Sequence, residues 1–314
     1  MKVLTAIMAM ACMICLNTSA FNLPKELTRK ECLREPIEKI ELREGVTFFK
    51  GKYRRLFNHP DERIGCFELN ILVIEWNLAK DVGLKIHINE DNTRHRPSEA
   101  MFNNPNAIAC VNGFYHATVD PSTNYFPTRV NGKDYVSMVD YIDGVLAFNN
   151  FEPPAIGTGR KNGITNYMEY ANFAGTDGSP DGSESAENCY PDEKSVENRL
   201  KGISPHTFIG QNEKKNMTVI IVADGYRPGQ AIGANFSEVR WLMKFFGISK
   251  SICNLDSGGS STMAIRQKVT STRDKYPNST NSFCRVTNYV LNDHKNYSER
   301  RVMSSIQIVI KNGN

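Results

Sequence analysis

Residues 218–266 decide the fold, and they read TVIIVADGYRPGQAIGANFSEVRWLMKFFGISKSICNLDSGGSSTMAIR. Residues 218–223 form a continuous apolar run of the kind found in buried strands. Residues 251–255 and 261–266 are two further strand-like runs, and they flank a turn that contains two successive glycines. This stretch therefore predicts buried strands whose ends carry polar turns.

One clear helix is predicted between these strands, over residues 236–246. Val239, Leu242 and Phe246 fall on one of its faces, and Gly247 follows as a C-terminal stop. The spacing predicts an amphipathic helix that packs one face on a core.

Short strands dominate the rest of the prediction, together with a short helix at residues 97–103. Runs rich in β-branched and aromatic residues predict strands at residues 46–49, 65–76, 84–88, 107–111, 145–148 and 304–310. Because strands outnumber interspersed helices, we expect an α+β fold with a mixed β-sheet core.

The composition is that of an ordinary globular chain of 314 residues, 40% hydrophobic and 23% charged. The net charge of +4 is small and long Lys/Arg runs are absent, so neither nucleic acid nor an anionic membrane is indicated as a partner. We divide the chain into a signal peptide (1–20), a strand-rich N-terminal part (21–106) and a core (107–314).

Residues 1–20 have the pattern of a secretory signal peptide. Lys2 gives a positive start, residues 3–16 are almost wholly apolar, and residues 18–20 are small enough for cleavage. The apolar run is too short to cross a bilayer, and no later segment is long enough either. We therefore expect a secreted protein without a membrane span.

Cysteines and glycosylation sequons agree with a secretory route. Up to three disulfides are expected, with the pairing left open, among Cys32, Cys66, Cys110, Cys189, Cys253 and Cys284. Sequons begin at Asn216, Asn235, Asn278 and Asn296.

Residues 175–198 are polar and turn-rich, and we interpret them as a surface insertion within the core. Asp177, Asp181 and Glu184 could hold calcium there, although their spacing does not fit an EF-hand loop. No metal motif, phosphate-binding loop or dinucleotide fingerprint occurs, so no other cofactor is predicted.

Three segments place polar groups just beyond apolar strands: residues 109–115, 223–227 and 254–261. A carboxylate or amide at a strand end is held by a rigid scaffold yet lies at the edge of the sheet. Glycine beside it permits tight turns and lets the backbone approach a ligand closely. The Asp256-Ser-Gly-Gly-Ser-Ser turn is suited to contact sugar hydroxyls or phosphate oxygens.

Residues 224–263 resemble the signature of the phosphodiester glycosidase family. The family has a strand ending in Asp-Gly-Arg, a helix that carries Glu, and a strand ending in Leu-Asp-Gly-Gly-Gly-Ser. Residues 111–115 resemble its Asn-Gly-Gly-Phe-Phe, and residues 300–302 resemble an Arg-Pro-Val-like element. The resemblance implies the family's fold and the hydrolysis of a sugar, such as α-linked N-acetylglucosamine, from a phosphodiester.

Two positions depart from the family pattern. Ser257 replaces the first glycine of the triple, and His206 stands where the family has an arginine. If that arginine binds phosphate, a histidine would bind it more weakly and with a dependence on pH.

The resemblance implies Asp256 as the first catalytic carboxylate, with Asp224 and Glu238 as further candidates. Glycoside cleavage uses a carboxylate to attack or to activate water, while a phosphate departs as a stable anion without much acid assistance. Glu238 also fits a capping box with Asn235, which would explain it structurally and hinder glycosylation there.

The remaining candidates bind substrate or support the site. Arginine presents a fork to phosphate oxygens, which makes Arg227 and Arg301 candidates. The other candidates are Asn112, Gly113, His206, Ser257, Gly258, Gly259 and Ser260. His116 could assist proton transfer, although a lone histidine beside aromatic residues is more often structural.

Three alternatives remain open. A carbohydrate-binding protein could keep the fold without catalysis, and a hydrolase of unphosphorylated polysaccharide would share the same sequence features. A serine hydrolase with Ser257 as nucleophile is the third, but a recognisable motif for its base is missing.

Overall fold

A computed structural model describes residues 21–55, 64–89, 93–114, 128–136, 141–160, 167, 169–172, 202–227, 229–267, 284–288, 291–292, 296–297 and 299–311. The predicted signal peptide, His116, the insertion at 175–198 with its calcium candidates, and the sequon at Asn278 lie outside these ranges.

Most of the described chain forms β-strands, and the helices are short. The strands are β1 (Glu38–Arg43), β2 (Val46–Arg55), β3 (Ile64–Glu75), β4 (Val82–Ile88), β5 (Ala107–Asn112), β6 (Thr128–Val130), β7 (Lys133–Val136), β8 (Tyr141–Phe148), β9 (Ala155–Arg160), β10 (Glu169–Asn172), β11 (His206–Asn212), β12 (Met217–Asp224), β13 (Ile252–Asn254), β14 (Met263–Arg266), β15 (Cys284–Val286), β16 (Leu291–Asn292), β17 (Asn296–Tyr297) and β18 (Ser304–Ile310). The helices are α1 (Pro97–Asn103) and α2 (Phe236–Phe245), with 3₁₀ turns at Lys25–Thr28 and Gly258–Ser260.

Three larger sheets are built from these strands. The first has the order β1-β2-β3-β12-β11-β13, the second β15-β14-β5-β18-β4, and the third β7-β6-β10-β8-β9. Neighbouring strands run antiparallel, so β12 and β13, which both pair with β11, point the same way and end at the same edge. That edge is where the polar turns of the sequence converge.

The main core lies where the first sheet packs on the second. The inward-facing side chains of β3 and β12, such as Leu72 and Ile220, meet those of β5 and β18, such as Val111 and Ile306, and all four are fully buried. A second apolar cluster fills the other face of the first sheet, under α2, and a smaller one lies between α1 and the second sheet. The layers are therefore helix, sheet, sheet and helix.

The predicted elements are largely confirmed. The helix at residues 97–103 and the strand at 304–310 have the predicted bounds. α2 buries Val239 and Leu242 as expected, and Phe246, predicted as its last residue, is buried just beyond its end. The α+β description is broadly right but the helix content is low, because the described residues are mostly β-sheet and contain only two short helices. The expected mixed sheet is wrong for the described strands, whose pairings are all antiparallel.

The expectation of up to three disulfides is wrong for the described cysteines. Cys32, Cys110, Cys253 and Cys284 are all free thiols. Cys32, Cys110 and Cys253 belong to three different apolar clusters, and Cys284, which shares a cluster with Cys110, lies two strands away from it in the sheet. Burial raises the pKa of the Cys110 and Cys253 thiols, so both stay protonated and pack as small apolar groups. The side chains of Cys66 and Cys189 are outside the described part of the chain.

Candidate active site

The three polar turns predicted from sequence meet at one end of the two packed sheets. The Asp256 N–H donates to Gly113 O over 2.9 Å, and Asn112 Nδ2 donates to Asp256 O over 2.7 Å, which joins the end of β5 to the turn after β13. The Gly258 N–H donates to Pro205 O, just before β11, over 2.8 Å. Backbone and amide hydrogen bonds thus fix the position of the glycine turn.

Asn112 is fully buried, and its amide is the hub of this junction. Its Oδ1 accepts hydrogen bonds from Thr207 Oγ1 at 2.7 Å and from the Thr262 N–H at 3.0 Å, while its Nδ2 holds Asp256. This amide supports the site; direct binding of substrate by Asn112 stays a prediction.

Gly113 is required by close packing. A Cβ at this position would lie 2.3 Å from Ser304 Oγ and 2.8 Å from Ser304 O, distances that atoms do not tolerate. The absent side chain therefore lets β5 and β18 approach each other where the Asp256 turn is anchored.

Asp256 begins the glycine turn and is 7% exposed. Its Oδ1 accepts the N–H of Ser257 at 2.8 Å, which fixes the rotation of the carboxyl group. A carboxylate held in this way is ready to act without first being reoriented.

The turn itself is tight, because Gly258 has a φ of 66° in the left-handed region. The ring of Tyr226 packs over Gly258, and a Cβ added to Gly258 would lie 3.3 Å from the Tyr226 hydroxyl oxygen. Tyr226 also has a left-handed φ, of 57°, which is unusual for a bulky residue and typical of functional turns. The Asp224 turn therefore contacts the Asp256 turn.

Ser260 ends the turn with a buried hydroxyl. The residue is 1% exposed, and Ser260 Oγ has no hydrogen-bond partner within the described part of the chain. A buried hydroxyl without a partner is costly unless a ligand or water satisfies it.

Arg300 is the site residue that sequence reasoning missed. Its guanidinium lies against Gly259, since a Cβ at Gly259 would be 3.1 Å from Arg300 Cζ and Nη2. The Arg-Pro-Val-like resemblance of residues 300–302 places the arginine of that element at Arg300, and this is the signal that could have found it.

Arg301, a predicted phosphate ligand, contacts Arg94 and Glu99 rather than the glycine turn in the contacts that the structure describes. Its side chain is 56% exposed, Nη1 donates to Arg94 O over 3.2 Å, and Nη2 lies 3.6 Å from Glu99 Oε1. A substrate-binding role for Arg301 stays a prediction, and Arg300 joins it as a candidate.

Asp224 and Arg227 are brought together in a buried network of charges. Arg227 Nη2 donates to Asp224 and, over 3.0 Å, to Glu68 Oε2, while Lys50 Nζ lies 2.8 Å from Glu68 Oε1. Burial raises the pKa of Glu68, but the two cations outweigh burial and hold that pKa below its ordinary value. The network braces the end of the first sheet; catalysis by Asp224 and phosphate binding by Arg227 stay predictions.

The two departures from the family pattern contact each other. His206 Nδ1 lies 2.8 Å from Ser257 Oγ, and His206 Nε2 lies 3.1 Å from Ser204 Oγ. The ring is 1% exposed and packs edge-on against Phe208 and Phe236. His206 thus occupies the layer beneath the turn, with both ring nitrogens bound to hydroxyls.

Glu238 forms the predicted capping box. Its N–H donates to Asn235 Oδ1 over 2.9 Å, and its Oε2 accepts the Asn235 N–H at 2.8 Å. Glu238 is buried, and these bonds explain it structurally; a catalytic role stays a prediction.

The described residues contain no cluster of His, Cys, Asp and Glu suited to a metal ion. Among the same residues, no helix is long and apolar enough to cross a membrane.

Comparisons with known proteins identify one family by sequence and a shared fold by structure. The sequence profile of the phosphodiester glycosidase family matches residues 89–309. The structure is similar to the pro-peptide-inhibited catalytic domain of zebrafish N-acetylglucosamine-1-phosphodiester α-N-acetylglucosaminidase, with a TM-score of 0.62, 14% identity, and coverage of 90% of this chain and 87% of that one. It is also similar to a candidate exported protein from Burkholderia pseudomallei, with a TM-score of 0.65, 11% identity, and coverage of 92% and 98%. No curated protein sequence matches the chain.

Proposed function

This chain belongs to the phosphodiester glycosidase family, and we propose that it hydrolyses an N-acetylglucosamine-like sugar α-linked through its anomeric carbon to a phosphodiester. Water adds to the anomeric carbon, the bond from that carbon to the phosphate oxygen breaks, and the phosphate monoester leaves as an anion. Family membership supports the reaction class, and the arrangement at the glycine turn supports the assignment of roles.

A single observation carries the proposal: a carboxylate and a guanidinium lie on the same glycine turn. Asp256 opens the turn, and Arg300 lies against Gly259 three residues later. A phosphate seated on Gly259 would place its oxygens beside the guanidinium, whose planar fork suits them. The anomeric carbon attached to that phosphate would then lie on the side of Asp256.

In this arrangement Asp256 acts on the nucleophile. Its carboxylate either attacks the anomeric carbon or takes the proton of the attacking water. Arg300 binds the phosphate oxygens, which are charged in the substrate as well as in the departing monoester, and the buried Ser260 hydroxyl donates to the same oxygens. Since phosphate is already a good leaving group, a separate strong acid is not required.

We also propose that the enzyme is secreted. The signal-peptide pattern of residues 1–20 supports this, and so does the structural similarity to a candidate exported protein.

The test of the reaction class compares three substrates that share one sugar. They are the methyl phosphodiester of N-acetylglucosamine 1-phosphate, N-acetylglucosamine 1-phosphate itself, and methyl α-N-acetylglucosaminide. We expect free sugar to be released from the diester alone, or much faster from the diester than from the other two compounds. Equal release from the methyl glycoside would favour the polysaccharide alternative, and binding without any release would favour the carbohydrate-binding alternative.

The contact between Ser257 and His206 also favours, as a second candidate, a serine nucleophile with His206 as its base. Both nitrogens of His206 are engaged with hydroxyls, and Ser257 Oγ also lies 3.2 Å from Asn254 Oδ1. A triad would instead require a carboxylate at the second nitrogen. Covalent labelling of Ser257 by a fluorophosphonate would support this candidate over the glycosidase.

A further inference from the structure

The segment that carries Arg300 is held to the start of α1 by the carboxylate of Glu299. Glu299 Oε1 accepts the Ser98 N–H at 2.9 Å, and Oε2 accepts the Ser98 hydroxyl. The Glu299 residue is 3% exposed, so these hydrogen bonds form away from water.

The backbone around Arg300 is fixed on both sides. Arg96 Nε donates to Glu299 O over 3.3 Å. His95 and Val302 exchange two backbone hydrogen bonds, of 2.9 and 2.8 Å. Arg300 therefore lies between two residues that are each tied to the strand-like entry into α1.

Glu299 is not needed merely to begin this helix. Glu99 already forms a capping box with Arg96, because Glu99 Oε2 accepts the Arg96 N–H at 3.1 Å. A second, buried carboxylate at the same helix start is a costly choice for capping alone. Its distinctive effect is to fix the residue that precedes Arg300.

We propose that Glu299 is a positioning residue for phosphate binding, which clamps Ser98 and thereby holds the Arg300 guanidinium over Gly259. This inference rests on the proposed function, because it assigns Arg300 to the substrate phosphate. A long arginine side chain that is held in place loses less freedom on binding than a mobile one. The clamp thus contributes to affinity without touching substrate.

The test uses Glu299→Ala and Glu299→Gln in the full-length protein. The glutamine can keep both bonds, because its carbonyl accepts the Ser98 N–H and its amino group donates to the Ser98 hydroxyl. Asn212→Ala is the matched control. Asn212 is the last residue of β11 and is also buried, and its Nδ2 donates to Phe246 O, just after α2, over 2.8 Å. The readouts are kcat and KM for the methyl phosphodiester, and the Kd of inorganic phosphate.

We expect Glu299→Ala to raise KM and the phosphate Kd by about tenfold, the size of one charge-assisted contact, with kcat within about twofold of the wild type. Glu299→Gln restores both values, and Asn212→Ala lowers stability without changing either. A KM and a phosphate Kd that stay at wild-type values in Glu299→Ala would overturn the inference, as would an equal rise in Asn212→Ala.

Failure of the proposed function can be distinguished from failure of the Glu299 clamp. The wild type would then release no sugar from the phosphodiester. A loss of phosphate binding in Glu299→Ala that Glu299→Gln restores would still support the clamp, and unchanged phosphate binding would overturn it.

Discussion

His206 Nδ1 lies 2.8 Å from the hydroxyl of Ser257, so the two positions at which this chain departs from the family pattern are in contact. The serine occupies a position where its family has glycine, and its φ of −124° is one that any residue adopts. The hydroxyl bonds the histidine, and the histidine fills the layer below the turn. The serine at 257 and the histidine at 206 therefore complement each other, since each supplies a hydrogen-bond partner for the other.

This contact predicts coupled effects on stability. Ser257→Ala leaves a buried ring nitrogen without its partner, and we expect the free energy of unfolding to fall by about 1–3 kcal/mol. His206→Phe removes the same bond but keeps an aromatic ring against Phe208 and Phe236. The double variant should lose less than the sum of the single losses, measured by urea unfolding. Strictly additive losses would show that the two side chains act independently.

Glu299 predicts how stability changes with pH. Burial raises the pKa of Glu299 to about 7 from an ordinary value of 4.5, although Ser98 and Arg96 act in the opposite direction. A raised carboxyl pKa means that stability is full below about pH 4.5 and declines as the pH rises to about 7, by about 3 kcal/mol in total. Glu299→Gln should lack this decline.

The measurement is denaturant unfolding of wild type and Glu299→Gln at pH 5 and pH 8. Other charged or titratable groups that interact with Glu299 are Arg96 just before α1, Glu99 on α1, Cys110 on β5 and Cys284 on β15. Glu68 acts in the opposite direction, because its lowered pKa removes stability only as the pH falls below its ordinary value. The difference between the two proteins isolates Glu299, and an identical pH dependence in both would contradict the assignment.

The buried charge network predicts a large loss of stability when one member is removed. Arg227→Met leaves Asp224 and one oxygen of Glu68 without their cation, and we expect a loss of about 3–5 kcal/mol. Arg43→Met is the control, because the Arg43–Asp81 pair is largely exposed and should contribute less than about 1 kcal/mol. If thermal unfolding shows the same loss of stability in Arg227→Met and Arg43→Met, the buried network stabilises the protein no more than the exposed pair does.

Gly259 predicts an effect on substrate binding. A methyl group at this position would be 3.1 Å from the Arg300 guanidinium, so in Gly259→Ala the guanidinium must move by a few tenths of an ångström. We expect KM for the phosphodiester to rise by up to about tenfold, because a charge-assisted contact is weakened. Gly229→Ala is the control: no atom lies within 4 Å of an added Cβ at Gly229, whose φ of 75° is left-handed, unlike that of Gly259. A normal KM in Gly259→Ala would remove Arg300 from the phosphate site.

Much of the architecture could be predicted from local patterns. A continuous apolar run located β12, an alternating apolar run located β18, and one helical face located α2, since burial on a sheet or helix imposes a strict period. β11 was not predicted as a strand, although its seven residues are all buried between β12 and β13. The polar residues at its two ends, His206 and Asn212, obscured the apolar pattern of a buried strand. Their hydrogen-bond partners, Ser257 and Phe246, lie far away in the sequence.

The site was predictable in outline only. The strand-end turns at Asn112, Asp224 and Asp256 follow from sequence, and the structure brings them to one edge. Arg300 could have been chosen over Arg301 from the Arg-Pro-Val-like resemblance of residues 300–302, whose arginine falls on Arg300. The pairing of His206 with Ser257 depends on a tertiary contact that no local pattern carries. For the four described cysteines the disulfide prediction failed for a similar reason, because cysteine counts contain no distances.

The most direct test of the account is the release of N-acetylglucosamine from its 1-phosphate methyl diester by wild type and by Asp256→Asn. The asparagine can still accept the Ser257 N–H, so the turn should keep its shape, which the unfolding curve checks. We expect kcat to fall by roughly a thousandfold or more while the phosphate Kd changes little. Undiminished turnover in a folded Asp256→Asn protein would contradict the central claim that this carboxylate carries the reaction.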